Sequence, residues 1–375
     1  MHTSPHLLRQ WMTVGLLLIA SILPIAGYAA NKIVLVSNMK TPSQLAAAEG
    51  LVTALSQTFN PEQFSYPLNN GHVLDIELDL NRIPDLTHNP DVLALVCINS
   101  VACRLAAEKQ ASKDLLVISL TATSSQLTVA DNMLRMAPSN IRQANAIYKR
   151  LKDGIKTGRF AVVYEPDAYG ADLYKNFVYS YLNDKILEQQ DTPYWVMGIP
   201  LHDHLLLDSS QKRVTAAKVL QVLASQSLDA VVYLGMDRGF LDLTDAERGG
   251  NSKVATRWYA GDGVEEIPQE KGFNGLEIIR LFGSGREDSQ GLIRSATYYH
   301  AHDAGLFLAE VTKQYASQNA TTRTQLLDIA KTVRVIGRTG EKGFGLSDDA
   351  MFFDVLTYKE NGETGTTTIT GASDY

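Results

Sequence analysis

Short runs of apolar, mostly β-branched residues alternate along this chain with segments of helical periodicity. "KIVLVS" (32–37) precedes "QLAAAEGLVTALSQTF" (44–59), "VLALVCI" (92–98) precedes "VACRLAAEKQ" (101–110), "LLVISL" (115–120) follows, and "NMLRMA" (132–137) leads into "NIRQANAIYKRLKDG" (140–154). The alternation then repeats. "RFAVVYE" (159–165) precedes the helical "ADLYKNFVYSYLNDKI" (171–186), and "YWVMGIPL" (194–201) precedes the helical "KRVTAAKVLQVLAS" (212–225). Three further strand-like runs follow, "DAVVYLGM" (229–236), "VATRWYAG" (254–261) and "GLEIIRLFG" (275–283). Strands that stay apolar without alternating are covered on both faces, as in parallel sheets flanked by helices, so the pattern predicts an α/β protein. Beyond 283 it predicts two long helical stretches, "SQGLIRSATYYHAHDAGLFLAEVTKQYA" (289–316) and "RTQLLDIAKTVRVI" (323–336). The closing "MFFDVLTYKENGETGTTTIT" (351–370) alternates about a turn and predicts an antiparallel pair at a sheet edge. Two similar α/β lobes are expected, with the chain passing between them more than once.

In open α/β sheets ligands bind beyond the carboxyl ends of the strands, so the residues just after each strand carry the functional information. In the first half these are Asn38, then Asn99 and Ser100, then Thr121 to Thr123. In the second half they are Asp167 and Tyr169, Gly235 and Met236, and Asp262. Hydroxyls and amides dominate the first set, an acid and aromatic surface the second. Such a mixture suits a small polar molecule or zwitterion, its anionic end on hydroxyls and helix N-termini and its cationic end on Asp262. The competing assignment for Ser, Thr, Asn and Asp after a strand is a helix N-cap.

The first residues change the picture of compartment. Arg9 precedes the apolar run "VGLLLIASILPIAG", followed by small residues, as in a secretory signal peptide, and cleavage after Ala29 places Gly27 and Ala29 at the small-residue positions. The run is shorter than the roughly 20 residues of a spanning helix. The expected location is the periplasm. The whole chain has globular composition, 45% hydrophobic and 20% charged, and the formal charge of −7 with no basic runs argues against nucleic acid. The two cysteines, Cys97 and Cys103, lie in "VCINSVACRL". In an oxidising compartment a short-loop disulfide and two buried thiols both fit them, and a metal site fits least.

Catalytic signatures are missing from the sequence: no nucleophile elbow, no H-E-x-x-H and no Gly-rich phosphate loop occurs. "GSG" (283–285) follows a strand but lacks the third glycine of a dinucleotide fingerprint and reads as a turn between lobes. His202, Asp203 and His204 form one histidine cluster and His300, His302 and Asp303 another, but His300 and His302 fall on different faces of a helix and do not chelate as i, i+4 partners do. "NAT" (319–321) is chemically a glycosylation acceptor to which we attach no role. No metal, no cofactor and no enzymatic activity is expected.

Five segments in order and spacing then carry a family resemblance: "LRMAPSNIRQANAIYKRL" with "RFAVVYEPDAYGADLYKNF", "LDAVVYLGM", "YYHAHDAGLFLAEV" and "GEKGFGLSDDAMFFDVLTYK". Over about residues 90 to 360 the chain resembles the type I periplasmic binding proteins, specifically the branched-chain amino acid substrate-binding proteins of ABC transporters, as a divergent member. The resemblance implies two Rossmann-like lobes joined by three crossovers, closing on a ligand like a Venus flytrap. Lobe 1 would comprise residues 30–137 plus 286–348, and lobe 2 residues 138–285 plus 349–375, after the signal peptide at 1–29. It implies delivery of a small ligand, an amino acid or related molecule, to an inner-membrane ABC permease by a monomer. Position by position, Thr121 and Thr123 match the loop that holds a ligand carboxylate, Tyr169 a tyrosine facing the ligand, Asp262 an acid receiving an ammonium, and Met236 a wall position often aromatic.

The chain also departs from that pattern. "SNMKTPSQLAAAEG" replaces the usual turn after the first strand, the helix expected between "LDIELDLNRIP" and "VLALVCI" is nearly absent, and Ile98 stands where a serine helps hold the carboxylate. A second expectation therefore keeps the fold but changes the role to a periplasmic sensor or accessory protein, for instance one linked to small-alcohol oxidation. A secreted hydrolase using cleft Asp or His groups is the alternative from another class.

Overall fold

The computed structural model describes residues 32–36, 42–55, 57–68, 72–108, 113–129, 131–155, 158–167, 169–188, 195–201, 209–250, 254, 257–264, 275–283, 286–288, 291–346, 352–358 and 364–370. Asn38, residues 1–29, the His202 to His204 cluster and the last two residues of the GSG turn lie outside them.

The first sheet holds β1 (Lys32–Val36), β2 (Ser65–Pro67), β3 (Val73–Glu77), β4 (Val92–Cys97), β5 (Leu116–Ser119) and β6 (Met133–Arg135), in the order β2-β3-β1-β4-β5-β6. All neighbours are parallel except the short edge strand β2. Every residue of β4 is buried, as its unbroken apolar sequence requires of a strand covered on both faces. One face packs on helices α1 (Pro42–Ala54), α8 (Ala296–Ser317) and α9 (Arg323–Thr332). The other packs on α2 (Ile83–His88) and α3 (Ser100–Glu108).

The second sheet holds β7 (Arg159–Tyr164), β8 (Trp195–Pro200), β9 (Ala230–Leu234), β10 (Arg257–Ala260), β11 (Glu277–Leu281), β16 (Phe352–Tyr358) and β17 (Thr364–Thr370), in the order β17-β16-β11-β10-β9-β7-β8. Helices α4 (Asn140–Gly154) and α5 (Gly170–Glu188) cover one face, and α6 (Ser209–Ala224) and α7 (Asp237–Gly249) the other. The cores separate across a single peptide bond after β6: Met136 is buried in the first lobe's core and Ala137 in the second's. Helix α8 likewise starts in the second core at Ala296 and continues in the first from Ala301. The chain thus passes between lobes after β6, after β11 and before β16.

Three expectations are corrected. The long helical stretch begins only at Ala296, because the residues before it pair as a two-stranded ribbon, β12 (Arg286–Glu287) with β13 (Ile293–Arg294). Arg294 holds that ribbon through Asp288 and Glu49. The next helix ends at Thr332, and the β-branched Val335 and Ile336 instead enter a hairpin, β14 (Val335–Gly337) with β15 (Gly340–Lys342). Of the closing antiparallel pair only β17 is an edge, since β16 sits between it and β11. Asn319 adopts the left-handed conformation (φ 51°) just after α8, which makes it part of the helix stop.

Candidate functional site

Each sheet reverses its strand order once, at β1/β4 in the first lobe and at β7/β9 in the second, and such reversals open a crevice at the carboxyl ends. The two crevices face each other across a cavity of about 560 Å³. Of the strand-end residues singled out in the sequence, Asn99, Ser100, Thr121, Thr123, Asp167, Tyr169, Met236 and Asp262 line it, Ala122 and Gly235 do not, and Asn38 lies outside the described residues.

The first-lobe wall is hydroxyl-rich, and several groups there serve the fold first. Asn99 accepts from the Ala102 N–H at 2.9 Å and caps α3, the role its position after a strand allowed. Thr121 donates to the Ile98 carbonyl at 3.0 Å. Arg135 runs behind the loop, donating to the Ala122 and Ser124 carbonyls at 2.9 Å each. Thr123 is 3% exposed and borders the cavity. Cys97 and Cys103 are joined in a disulfide, which ties the end of β4 to the first turns of α3.

The second-lobe wall is acidic. Asp262, half-buried at the start of a short 3-10 turn, accepts at the same oxygen, Oδ1, from Tyr169 Oη (2.5 Å) and from Gln143 Nε2 (2.7 Å). The Gly263 N–H donates to Tyr169 Oη at 3.2 Å and completes the cluster. Burial pushes the Asp262 carboxyl above its ordinary value, opposed by the hydrogen bonds from Tyr169 and Gln143. The Tyr169 phenol is held well above its usual value, first by burial and then by the Asp262 charge. A desolvated carboxylate with one oxygen fixed by two neutral donors is arranged to receive a cation on the other. Behind this wall Glu165 accepts from the Met236 N–H at 2.8 Å and so sets the start of α7, while half-exposed Met236 borders the cavity.

The site also contains residues that sequence reasoning missed. Gln143 does not line the cavity but orients Asp262 from α4, 119 positions away. Ser295, Ala296 and Thr297 enter from the second crossover, with Ser295 capping α8 through the Tyr298 N–H at 3.3 Å. Asp237 lines the cavity at the first position of α7. Asp167, noted among the strand-end residues, lines it too and caps α5 by accepting from the Gly170 N–H at 2.6 Å. His300 is buried away from the cavity near Lys342 and Asp303, and burial lowers its pKa to about 3, so it is neutral. Among the described residues no group of His, Cys, Asp and Glu is arranged to hold a metal ion.

Comparison with known proteins bears on the fold. No family model matches the sequence, and no curated protein does. Solved structures do match. A leucine binding protein, LivK, from Thermotoga maritima MSB8 superposes with a TM-score of 0.67 at 15% identity, over 91% of this chain and 98% of that one. An ABC transporter substrate-binding protein from Desulfitobacterium hafniense, in complex with Leu, gives 0.64 at 14% identity, over 90% and 99%. The branched-chain amino acid transporter substrate binding protein LivJ from Streptococcus pneumoniae, in complex with isoleucine, gives 0.64 at 16% identity, over 91% and 99%. The chain therefore has the two-lobed type I periplasmic binding protein fold, with the Rossmann-like lobes and three crossovers that the resemblance implied.

Proposed function

We propose that the chain is a divergent solute-binding protein of the branched-chain amino acid group, exported by a cleaved signal peptide ending at Ala29. In the periplasm it clamps a small ammonium-bearing molecule between its lobes for an inner-membrane ABC permease. The observation that carries this reading is the Tyr169–Asp262–Gln143 cluster facing the Thr121 to Thr123 loop across the interlobe cavity. The half-sites belong to different lobes, so a ligand contacts both only when the lobes are closed, and its binding energy shifts the population toward closure. Asp262 receives the ammonium, Thr123 and the N-terminus of α3 the opposite end, and Tyr169 and Met236 supply apolar surface. Chemistry on the ligand is not part of this proposal.

A sensor or accessory role is favoured by one observation: between β3 and β4 the first lobe carries only a 3-10 turn and the six-residue α2. A thermal-shift screen of the chain from residue 30 onward against amino acids, amines, short carboxylates and alcohols tests the clamp, since a ligand that binds only the folded state raises the midpoint. X-ray scattering should then show compaction with the hit. A compacting ligand that is recovered unchanged fits the proposal, turnover refutes it, and silence across the panel moves the assignment to the sensor role.

A further inference from the structure

One contact beside the cavity joins the two lobes without any ligand. Ser125, just past the Thr121 to Thr123 loop, opens a 3-10 turn (Ser125–Val129) of the first lobe. Its N–H and its hydroxyl both donate to the carboxylate of Asp172, at 2.8 and 2.6 Å. Asp172 lies in the first turn of α5, which starts at Gly170 directly after the cavity residue Tyr169. An aspartate that accepts from the first N–H of a helical turn does what a capping residue does, and here the cap comes from the other lobe. Two further donors reach the same carboxylate, Asn140 Nδ2 at 2.8 Å and Asn176 Nδ2 at 3.3 Å.

These four bonds divide by lobe. Asn140 begins α4 and Asn176 lies on α5, so both travel with Asp172 when the second lobe moves. The Ser125 bonds instead span the lobes. The loop that carries Ser125 cannot follow Asp172 outward, because Arg135 at the end of β6 donates to the Ala122 and Ser124 carbonyls at 2.9 Å each and fixes it to the first lobe. Opening therefore costs the carboxylate two charge-assisted hydrogen bonds, the stronger kind. Nearer the chain crossing, the Asn140 N–H donates to the Thr123 carbonyl at 2.6 Å, so the clasp continues a seam that begins at the crossover.

We propose that Asp172 is a positioning residue for binding: it clasps Ser125 across the lobes and holds the cavity assembled before a ligand arrives. Its effect on affinity rests on the solute-binding reading, whereas the clasp itself acts on the ligand-free chain. Apparent affinity scales with the fraction of molecules whose site is assembled. Neither Ser125 nor Asp172 lines the cavity, so loss of the clasp should weaken every ligand by the same factor. The test is small-angle X-ray scattering of the ligand-free chain from residue 30 onward. Ser125→Asp sets a second carboxylate against Asp172 and should expand the particle, since like charges repel. Adding Asp172→Asn, whose amide nitrogen can donate to the new carboxylate, should restore the parent's dimensions, a rescue that a purely structural role for either residue would not produce. Ser125→Ala removes only the hydroxyl bond and should expand the particle partway, which decides the matter if the charged variant does not fold. In calorimetric titration with L-leucine, Ser125→Asp should bind tenfold or more weakly and the double variant within threefold of the parent. Dimensions unchanged in Ser125→Asp, or in Ser125→Ala should the former not fold, overturn the proposal, as does an expansion that the double variant leaves in place. If no amino acid or amine binds the parent while the scattering behaves as expected, the clasp stands and the solute-binding reading alone fails.

Discussion

Asp262→Asn separates the charge of the second-lobe wall from its architecture. An asparagine can present the same oxygen to Tyr169 Oη and Gln143 Nε2, which donate at 2.5 and 2.7 Å, so the cluster survives while the negative charge is lost. Two unit charges 4 Å apart attract by about 4 kcal/mol at an effective dielectric constant of 20, and the ammonium is partly desolvated in binding. A net loss of about 2 to 3 kcal/mol remains, or roughly 30- to 150-fold in affinity. The ligand-free variant should melt no lower than the parent at neutral pH. Burial raises the Asp262 carboxyl, so its charged form costs stability above its folded pKa, and the amide carries no such cost. The same shift gives the parent a pH signature. Cation binding needs the carboxylate, so affinity should fall on acidification beginning above the ordinary carboxylate range, and this decline should vanish in the variant. The assay is calorimetric titration with whichever of L-leucine and L-lysine binds the parent, at several pH values, beside thermal melts. Asp262→Ala provides the contrast, because it removes the acceptor shared by Tyr169 Oη and the fully buried Gln143 amide and should lower the melting temperature as well. Affinity in Asp262→Asn within threefold of the parent would refute the assignment of this carboxylate to the ligand.

A Cβ on Gly263 would overlap the Gly235 carbonyl and press on the Tyr169 ring, so Gly263→Ala should weaken binding tenfold or more with nearly unchanged circular dichroism; full affinity would show that Tyr169 does not shape the wall. Asp303, fully buried on α8, accepts from the Arg338 N–H, the Thr339 N–H and the Thr339 hydroxyl, and Asp303→Ala should cost about 3 kcal/mol in urea unfolding. Burial alone would raise the Asp303 carboxyl, but these bonds together with His302 hold it below its ordinary value. Its contribution is therefore complete above the unfolded pKa of about 4 and is lost as pH falls through the folded one, so the parent and the alanine variant should converge in stability in acid. The Cys97–Cys103 disulfide spans a sequence separation of 6, and reducing it should lower first-lobe stability by about 2 kcal/mol, read as an earlier urea transition of that lobe with dithiothreitol.

What the sequence disclosed and what it withheld divide along one physical line. Runs such as "VLALVC" and "AVVYL" announce strands covered on both faces, because every position must be apolar for that burial, and the structure buries every one of them. Residues just past such strands were therefore identifiable as candidates, and most of those within the described residues share one cavity. Positions whose role depends on strand order were not identifiable. Neither periodicity nor spacing says that β10, β9 and β7 are neighbours, so Asp237 looked like an ordinary acid at a helix start, which locally it is, and Asp167, a strand-end candidate, could not be placed on the same cavity with it. Gln143 reads as one more polar residue of an amphipathic helix, and only the packing of α4 beneath β11 brings its amide to Asp262 and to the Ile279 carbonyl at 3.0 Å. Ser295 and Thr297 were hidden by the opposite error: the helical pattern was extended back through "SQGLIR", which placed them mid-helix instead of at the N-terminus facing the cavity. Local chemistry selects which residues can bind, and topology decides which of them meet. Which strand-end acids face the cavity is therefore a property of the sheet order more than of any motif.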